Sequence, residues 1–391
     1  MDFELSEEET LIQSTARDFA KAELEPLAPL LDSHDDPGGT HRASFLANLR
    51  KLAELGFMGL NVREEWGGTE AGAVAFSLAL TEIARACAAT AVTVSVNNLV
   101  CEVIQALGDE TQKKAYIPRI CSGQWSAGSF GLTEPGAGSD PSAMATRAVQ
   151  DGDSWVLDGE KVFITSAPYA GVFVVWAVTD PAAPRGKGIS CFLVEGGTPG
   201  LVLGKEERKM GQRGSATCSL SFDGCRIPKG ALLGKRNGGY QAAVGELAGG
   251  RIGIGSLALG VGSAAIEKAA RHANERSQFG KKLAAFEGIQ WMIADSFTEL
   301  EASRLLLLQA AFRKDQGRPY AKEASMAKLF ASEAANRACY RALQTFGGYG
   351  YTEEFGLERL ARDARVTTIY EGTSEIQRLV IAREILQSYQ H

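Results

Sequence analysis

Histidine is scarce in this chain of 391 residues: it occurs only at positions 34, 41, 272 and 391, never beside a cysteine or another histidine. That scatter argues strongly against a zinc site of the Cys/His kind. The seven cysteines are odd in number and dispersed, and the closest two, Cys218 and Cys225, are too far apart for a CxxC pair. Reduced thiols in a reducing compartment are therefore expected. No run of five basic residues occurs and the net charge is a mild −6, so nucleic acid is not an expected partner. No uninterrupted apolar run nears the ~20 residues of a bilayer span, and none is expected. The acidic start, Met1-Asp2-Phe3-Glu4-Leu5-Ser6-Glu7, lacks the basic and apolar regions of a signal peptide. A bacterial cytoplasmic location is the expectation, with the mitochondrial matrix after processing as the alternative.

What remains is an apolar, glycine-rich chain, 45% hydrophobic with 44 glycines, long enough for two or three packed units. Its periodicity changes twice. To about residue 125 it reads as helix: Ser6-Glu7-Glu8-Glu9 has the capping-box form, and Leu11, Ala16, Phe19 and Ala20 follow at roughly helical spacing. Residues 56–72 read as loop, and helical patterns resume at Val74. From about 130 short β-branched and aromatic runs take over. Residues 154–157, Asp158-Gly159 and 161–165 have the form of a hairpin. Runs at 171–178 and 189–194, and one at 219–222 ending in Asp223-Gly224, complete a β-sandwich or barrel of about a hundred residues. From Tyr240 the chain is helical again. Glycines at 249, 250, 253, 255, 260 and 262 interrupt one stretch, each costing a helix about 1 kcal/mol against alanine, which implies a close neighbour or ligand. Ala324, Ala327, Ala331, Ala334 and Ala338 mark a second tightly packed helix, ending at Gly347-Gly348. The fold class is α+β, mainly α: a helical unit over 1–125, a β unit over 126–232 and a helical unit over 233–391.

Two segments carry chemistry. In Tyr370-Glu371-Gly372-Thr373-Ser374-Glu375-Ile376-Gln377-Arg378, glycine lets the backbone bend sharply beside an acid. Thr373 or Ser374, followed by Glu375, reads as the start of the last helix. A desolvated Glu371 at that helix start would be a stronger base than a carboxylate in water. On these residues alone, a capped turn whose acid complements the helix dipole remains an open alternative. The second segment, 130–140 (FGLTEPGAGSD), frees backbone amides with glycine and proline and adds hydroxyls at Thr133 and Ser139. Such a loop suits phosphate or a flat heterocycle. It does not follow a strand in a βαβ unit, so a Rossmann reading fails.

Together these segments resemble the acyl-CoA dehydrogenase flavoproteins, most nearly the short-chain, butyryl-CoA-type members. The resemblance runs through Ser95-Val96-Asn97-Asn98, 132–140, Lys209-Met210-Gly211-Gln212-Arg213, 251–260, 344–350 and 370–383, and covers the whole chain in order. It implies that family's fold, with the last unit a four-helix bundle, and an FAD cofactor. It also implies that Glu371 removes the pro-R α-proton of an acyl-CoA while a hydride leaves the β-carbon for the flavin, giving the trans-2-enoyl thioester. Electrons would pass to an electron-transfer flavoprotein. For the flavin the resemblance points to Phe130, Leu132, Thr133, Gly138 and Ser139; to Phe163, Ile164 and Thr165; to Arg276, Gln278 and Phe279; and to Gln344, Gly347, Gly348, Thr373 and Glu375. For the thioester it points to Ser139, Arg251, Tyr370 and Gly372. The Arg276–Gln278 contacts would reach a neighbouring subunit's cofactor in a homotetramer.

Three positions depart from the family pattern. Phe163 stands where tryptophan is usual. Glu287 replaces a flavin-contacting glutamine and is left out of the site. Ala248 replaces an aspartate that, with Arg251, holds part of the CoA moiety. Some relatives carry their base at the position of Gly250, which here has no side chain; Glu246, one turn away, is read as structural. The loss at 248 keeps a second reading open, the same chemistry on a carrier-protein-bound, branched, cyclic or aryl thioester.

Overall fold

The computed structural model describes residues 4–33 and 35–390. Six helices open the chain: α1 (Glu7–Phe19), α2 (Ala28–Asp32), α3 (Thr40–Glu54), α4 (Gly72–Ala86), α5 (Ala88–Leu107) and α6 (Glu110–Cys121). The capping box expected at Ser6 is formed. Its hydroxyl accepts from Glu9 N at 3.1 Å, and the Glu9 carboxylate accepts from Ser6 N at 2.7 Å.

The β unit contains β1 (Ala127–Gly131), β2 (Arg147–Asp151), β3 (Ser154–Thr165), β4 (Ala170–Val178), β5 (Ile189–Glu195), β6 (Leu201–Leu203), β7 (Thr217–Pro228) and β8 (Leu232–Leu233). Their order is β6-β7-β3-β2-β4-β5-β8, with β1 parallel beside β4. β2 and β4 meet only at Arg147 and Val178. The two halves on either side of that bridge share one core, in which the Trp155 and Phe192 rings stand edge to face at 5.2 Å. That is a sandwich.

The hairpin expected over 154–165 is not there. β3 runs unbroken through Asp158-Gly159, and β7 runs unbroken through Asp223-Gly224. The two Asp-Gly pairs face each other where the β3–β7 register slips, and Asp158 accepts from Gly224 N at 2.7 Å. Gly159 adopts φ +144°, and a Cβ there would lie 2.7 Å from the Thr146 backbone. Turn-type residues have built a bulge instead. The reversal sits one step earlier, at Gly152-Asp153 between β2 and β3.

The last unit comprises α7 (Gly239–Glu275), a hairpin of β9 (Ser277–Gln278) and β10 (Lys281–Lys282), then α8 (Glu287–Asp315), α9 (Ala321–Phe346), α10 (Gly348–Tyr351), α11 (Leu357–Arg365) and α12 (Ser374–Gln387). α7, α8 and α9 pack together, α11 and α12 lie on α9, and α4 joins from the first unit. A Cβ at Gly262 would come within 2.9 Å of the Ala335 backbone on α9, which explains the small residues on both helices. Two helices are apolar enough on average, and long enough, to cross a membrane, although polar residues interrupt both. α5 and the 247–275 part of α7 meet both criteria, but 78% and 94% of their apolar windows are buried inside the fold. Their apolarity serves the core.

Candidate active site

Glu371 lies between a short helical turn (Val366–Thr368) and α12, whose first turn Thr373 caps by accepting from Ile376 N at 3.3 Å. Both residues of the turn are left-handed, with φ +51° at Glu371 and +90° at Gly372. For a glutamate this backbone is strained by about 1–3 kcal/mol, so neighbours must hold it. They do. Gln377 donates to the carbonyls of Glu371 (3.0 Å) and Gly372 (2.9 Å), and the fully buried Lys328 of α9 donates to Gly372 O at 2.8 Å.

The carboxylate points at α7. A Cβ built on Gly250 would sit 2.1 Å from Glu371 Oε2, so the missing side chain there makes room for the acid. Oε2 is buried and has no hydrogen-bond partner among the described residues. Burial pushes the Glu371 carboxyl up to about 7, against the opposing pull of Lys328 and Arg251. Arg251 is itself buried; its Nη1 donates to Ser325 at 3.0 Å, and its Nε has no partner among the described residues. Tyr370 closes the other side, its hydroxyl accepting from Gln212 at 3.1 Å. Gln212 in turn is bound to Asp363, whose carboxyl burial raises to about 6. The Lys209–Arg213 segment thereby reaches the site through Tyr370. Ala248 is buried on α7, and the Glu246 side chain lies outside the described residues.

A second group of expected residues lies on β1, β3 and the loop after β1. Phe130 packs on Trp176 with ring centroids 4.4 Å apart. Leu132 is buried, Thr133 half-buried, and Gly138 and Ser139 exposed. Phe163 has φ +59° and is 68% exposed, a large ring presented to solvent. Ile164 turns into the sandwich core, and the carbonyl of Thr165 accepts from Ser129 Oγ at 2.7 Å. Behind the loop, the fully buried Lys161 donates to Leu132 O (3.1 Å) and Glu134 (2.7 Å). Glu134 also accepts from the backbone of Ala145 and Thr146. Burial works against ionisation of Glu134, but the Lys161 ammonium and these N–H donors hold its carboxyl below the ordinary value.

A third group lines an open groove of about 560 Å³ at the end of α7 and α9. Arg276, Gln278, Gln344, Gly347 and Gly348 all border it, with Tyr349 beneath the Arg276 guanidinium at 5.8 Å. Phe279, at the tip of the β9–β10 hairpin, is 92% exposed. Among the described residues, none of the β sandwich borders this groove. Glu287 stays outside it, at the start of α8 where an acid suits the helix dipole. Glu375 is exposed on α12, and the hydroxyl of Thr373 is engaged as the cap. A guanidinium, two amides and glycine backbone around such a volume fit a nucleotide pyrophosphate, and the exposed Phe163 ring beside an amide-rich loop fits a flat heterocycle.

Three family descriptions tile the chain: the acyl-CoA dehydrogenase N-terminal domain over 6–124, the middle domain over 129–225 and the C-terminal domain over 237–386. The mitochondrial short-chain specific acyl-CoA dehydrogenase of Bos taurus is 48% identical over 99% of this chain and 92% of that protein. The chain belongs to the acyl-CoA dehydrogenase family. Another relative, acryloyl-CoA reductase (NADH) of Anaerotignum propionicum, is 43% identical over 99% of this chain and 96% of that protein. The butyryl-CoA dehydrogenase structure from Megasphaera elsdenii superposes with a TM-score of 0.93 at 36% identity, covering 99% of this chain and all of that one. The protein is thus an FAD-dependent oxidoreductase of the acyl-CoA dehydrogenase type.

Sequence reasoning missed Lys328, Gln377 and the Glu134–Lys161 pair. A signal for the first was present: Lys328 interrupts the alanine stripe 324, 327, 331 and 335, whose members are all buried. A lone cation on a buried face needs a partner.

Proposed function

We propose that this acyl-CoA dehydrogenase oxidises a short saturated acyl-CoA to the trans-2-enoyl thioester, with Glu371 as the catalytic base. One observation carries the reading: a buried carboxylate oxygen without a partner, aimed across a gap that Gly250 leaves open. An acid poised near 7 is ionised over much of the neutral range and strong enough to take a weakly acidic α-proton. FAD, when bound, supplies the acceptor for the hydride that leaves the β-carbon. Phe130, Thr133, Ser139, Phe163 and Thr165 are assigned to its ring end. Arg276, Gln278, Gln344, Gly347 and Gly348 are assigned to its pyrophosphate end.

The Glu371 backbone N–H is assigned to the thioester carbonyl, where it stabilises charge developing as the α-proton departs. Ser139, Arg251, Tyr370 and Gly372 are assigned to the thioester and CoA. The groove has no sandwich residue in its wall, which supports a site completed by a second copy. Trp291, Phe297, Phe312 and Tyr340 lie exposed on α8 and α9 and support self-association, here assigned as a homotetramer. Electron-transfer flavoprotein is assigned as the acceptor. In the reductase direction named by the Anaerotignum relative, a protonated Glu371 would return the same proton to the same carbon.

Anaerobic titration with straight acyl-CoAs of increasing length tests the proposal. Bleaching of the flavin by the shortest members is expected. A fully flavin-loaded protein that no acyl thioester bleaches would refute it.

A further inference from the structure

Burying a lysine among alanines is costly unless its charge is used. Lys328 has no exposed surface, and the hydrogen bond of its ammonium goes to a main-chain carbonyl, that of Gly372, the residue next to the base. We propose that Lys328 is the positioning residue of the catalytic base: it pins the left-handed Glu371–Gly372 turn through the Gly372 carbonyl and supplies the positive field in which a buried Glu371 can ionise. This rests on the reading of Glu371 as the base.

The charges around the turn come from four elements. α9 provides Lys328 and, farther out, Glu333; α7 provides Arg251; α12 provides Glu375; Tyr370 and Asp363 lie behind the turn. Glu333 and Glu375 act on Lys328 more weakly than Glu371 and Arg251 do. Arg251 is turned toward Ser325, so Lys328 is the cation fastened to the turn itself. Gln377 shares the same carbonyl but brings no charge. Burial pushes Lys328 down to about 8, while Glu371 is raised to about 7. Between these values the acid is ionised and the lysine still charged. A direct contact with Lys328 would hold the carboxylate too weakly basic, and removing the lysine would leave it protonated at neutral pH.

The test compares Lys328→Gln, which can still donate to the Gly372 carbonyl but carries no charge, with Lys328→Arg, which keeps the charge. Two quantities are followed against pH: kcat/KM for butyryl-CoA, and exchange of its α-protons in D2O by mass spectrometry. The second reports on the base without the electron acceptor. In Lys328→Gln the acid limb of both profiles should move up by about one pH unit, with about a tenfold loss of kcat/KM below pH 7 and KM little changed. Lys328→Arg should keep the wild-type limb. A purely structural lysine would lower the melting temperature and flavin content while leaving the limb in place. An unmoved limb in a flavin-loaded Lys328→Gln protein overturns the proposal. If Lys328→Gln does not retain FAD, Lys328→Arg decides: a wild-type limb supports the proposal, and a displaced limb or lost flavin overturns it. Failure of the wild-type protein to bleach or exchange would instead refute Glu371 as the base.

Discussion

In the β sandwich Lys161 meets Glu134 at 2.7 Å, whereas in the helical bundle Lys328 is hydrogen-bonded to the Gly372 carbonyl beside Glu371. Both lysines are fully buried, and each stands by a glutamate, Glu134 buried and Glu371 half-buried as a whole residue; the outcomes differ. Glu134 has an ammonium and two backbone N–H groups for its oxygens and is held below the ordinary carboxyl value. Glu371 has an orphaned oxygen and is raised to about 7. The donors that each carboxylate receives differ accordingly. Withholding direct donors leaves the Glu371 carboxylate the more basic of the two; the first pair clamps the loop after β1, and the second is the one proposed for chemistry.

The comparison can be broken most severely at the proposed base. Glu371→Gln should slow flavin reduction by butyryl-CoA by about 10³–10⁴-fold without loss of FAD, measured by stopped-flow bleaching. A loss under about tenfold would remove the distinction. Next in size, Lys161→Met strands Glu134 as a buried, uncompensated charge. Denaturant unfolding should show about 3–5 kcal/mol of lost stability. Gly250→Ala should then reduce turnover about 10²-fold, because the new methyl occupies the carboxylate's place. Its melting temperature should move little, since alanine favours the helix by about 1 kcal/mol.

The smallest effect concerns stability against pH, and it has opposite signs in the two regions. The folded pKa of Glu371 is raised, so ionising it opposes folding, increasingly from about pH 4.5 to 7 and constantly above. Flavin-free Glu371→Gln should be about 1–3 kcal/mol more stable than the wild type at pH 8 and no different at pH 4. The folded pKa of Glu134 is depressed, so its stabilisation is present above the unfolded value and lost as pH falls through the folded one. Glu134→Gln should be less stable than the wild type at pH 8. Equal signs in urea titrations of the two variants would erase the contrast.

Legibility followed the range of the interactions. The Ser6 capping box, the Thr373 cap and the end of α9 at Gly347 depend on residues within a few positions, and each was readable. The two Asp-Gly pairs were misread because the partner of each lies some 65 residues away on the opposing strand. The Phe279-Gly280 hairpin went unrecognised because two-residue strands leave no alternation to detect. Glu371 stood out by its glycine and hydroxyl neighbours, but Lys328, 44 residues upstream of the carbonyl it binds, did not.

The chain's own order of residues determined its three-part α–β–α layout, its helix ends and the identity of the acid, because backbone capping and apolar periodicity act over short stretches of chain. Only the tertiary structure decided that this acid faces an empty glycine position with a lysine beside it and no donor on one oxygen. Desolvation and charge proximity are properties of space, set by segments that the sequence keeps far apart.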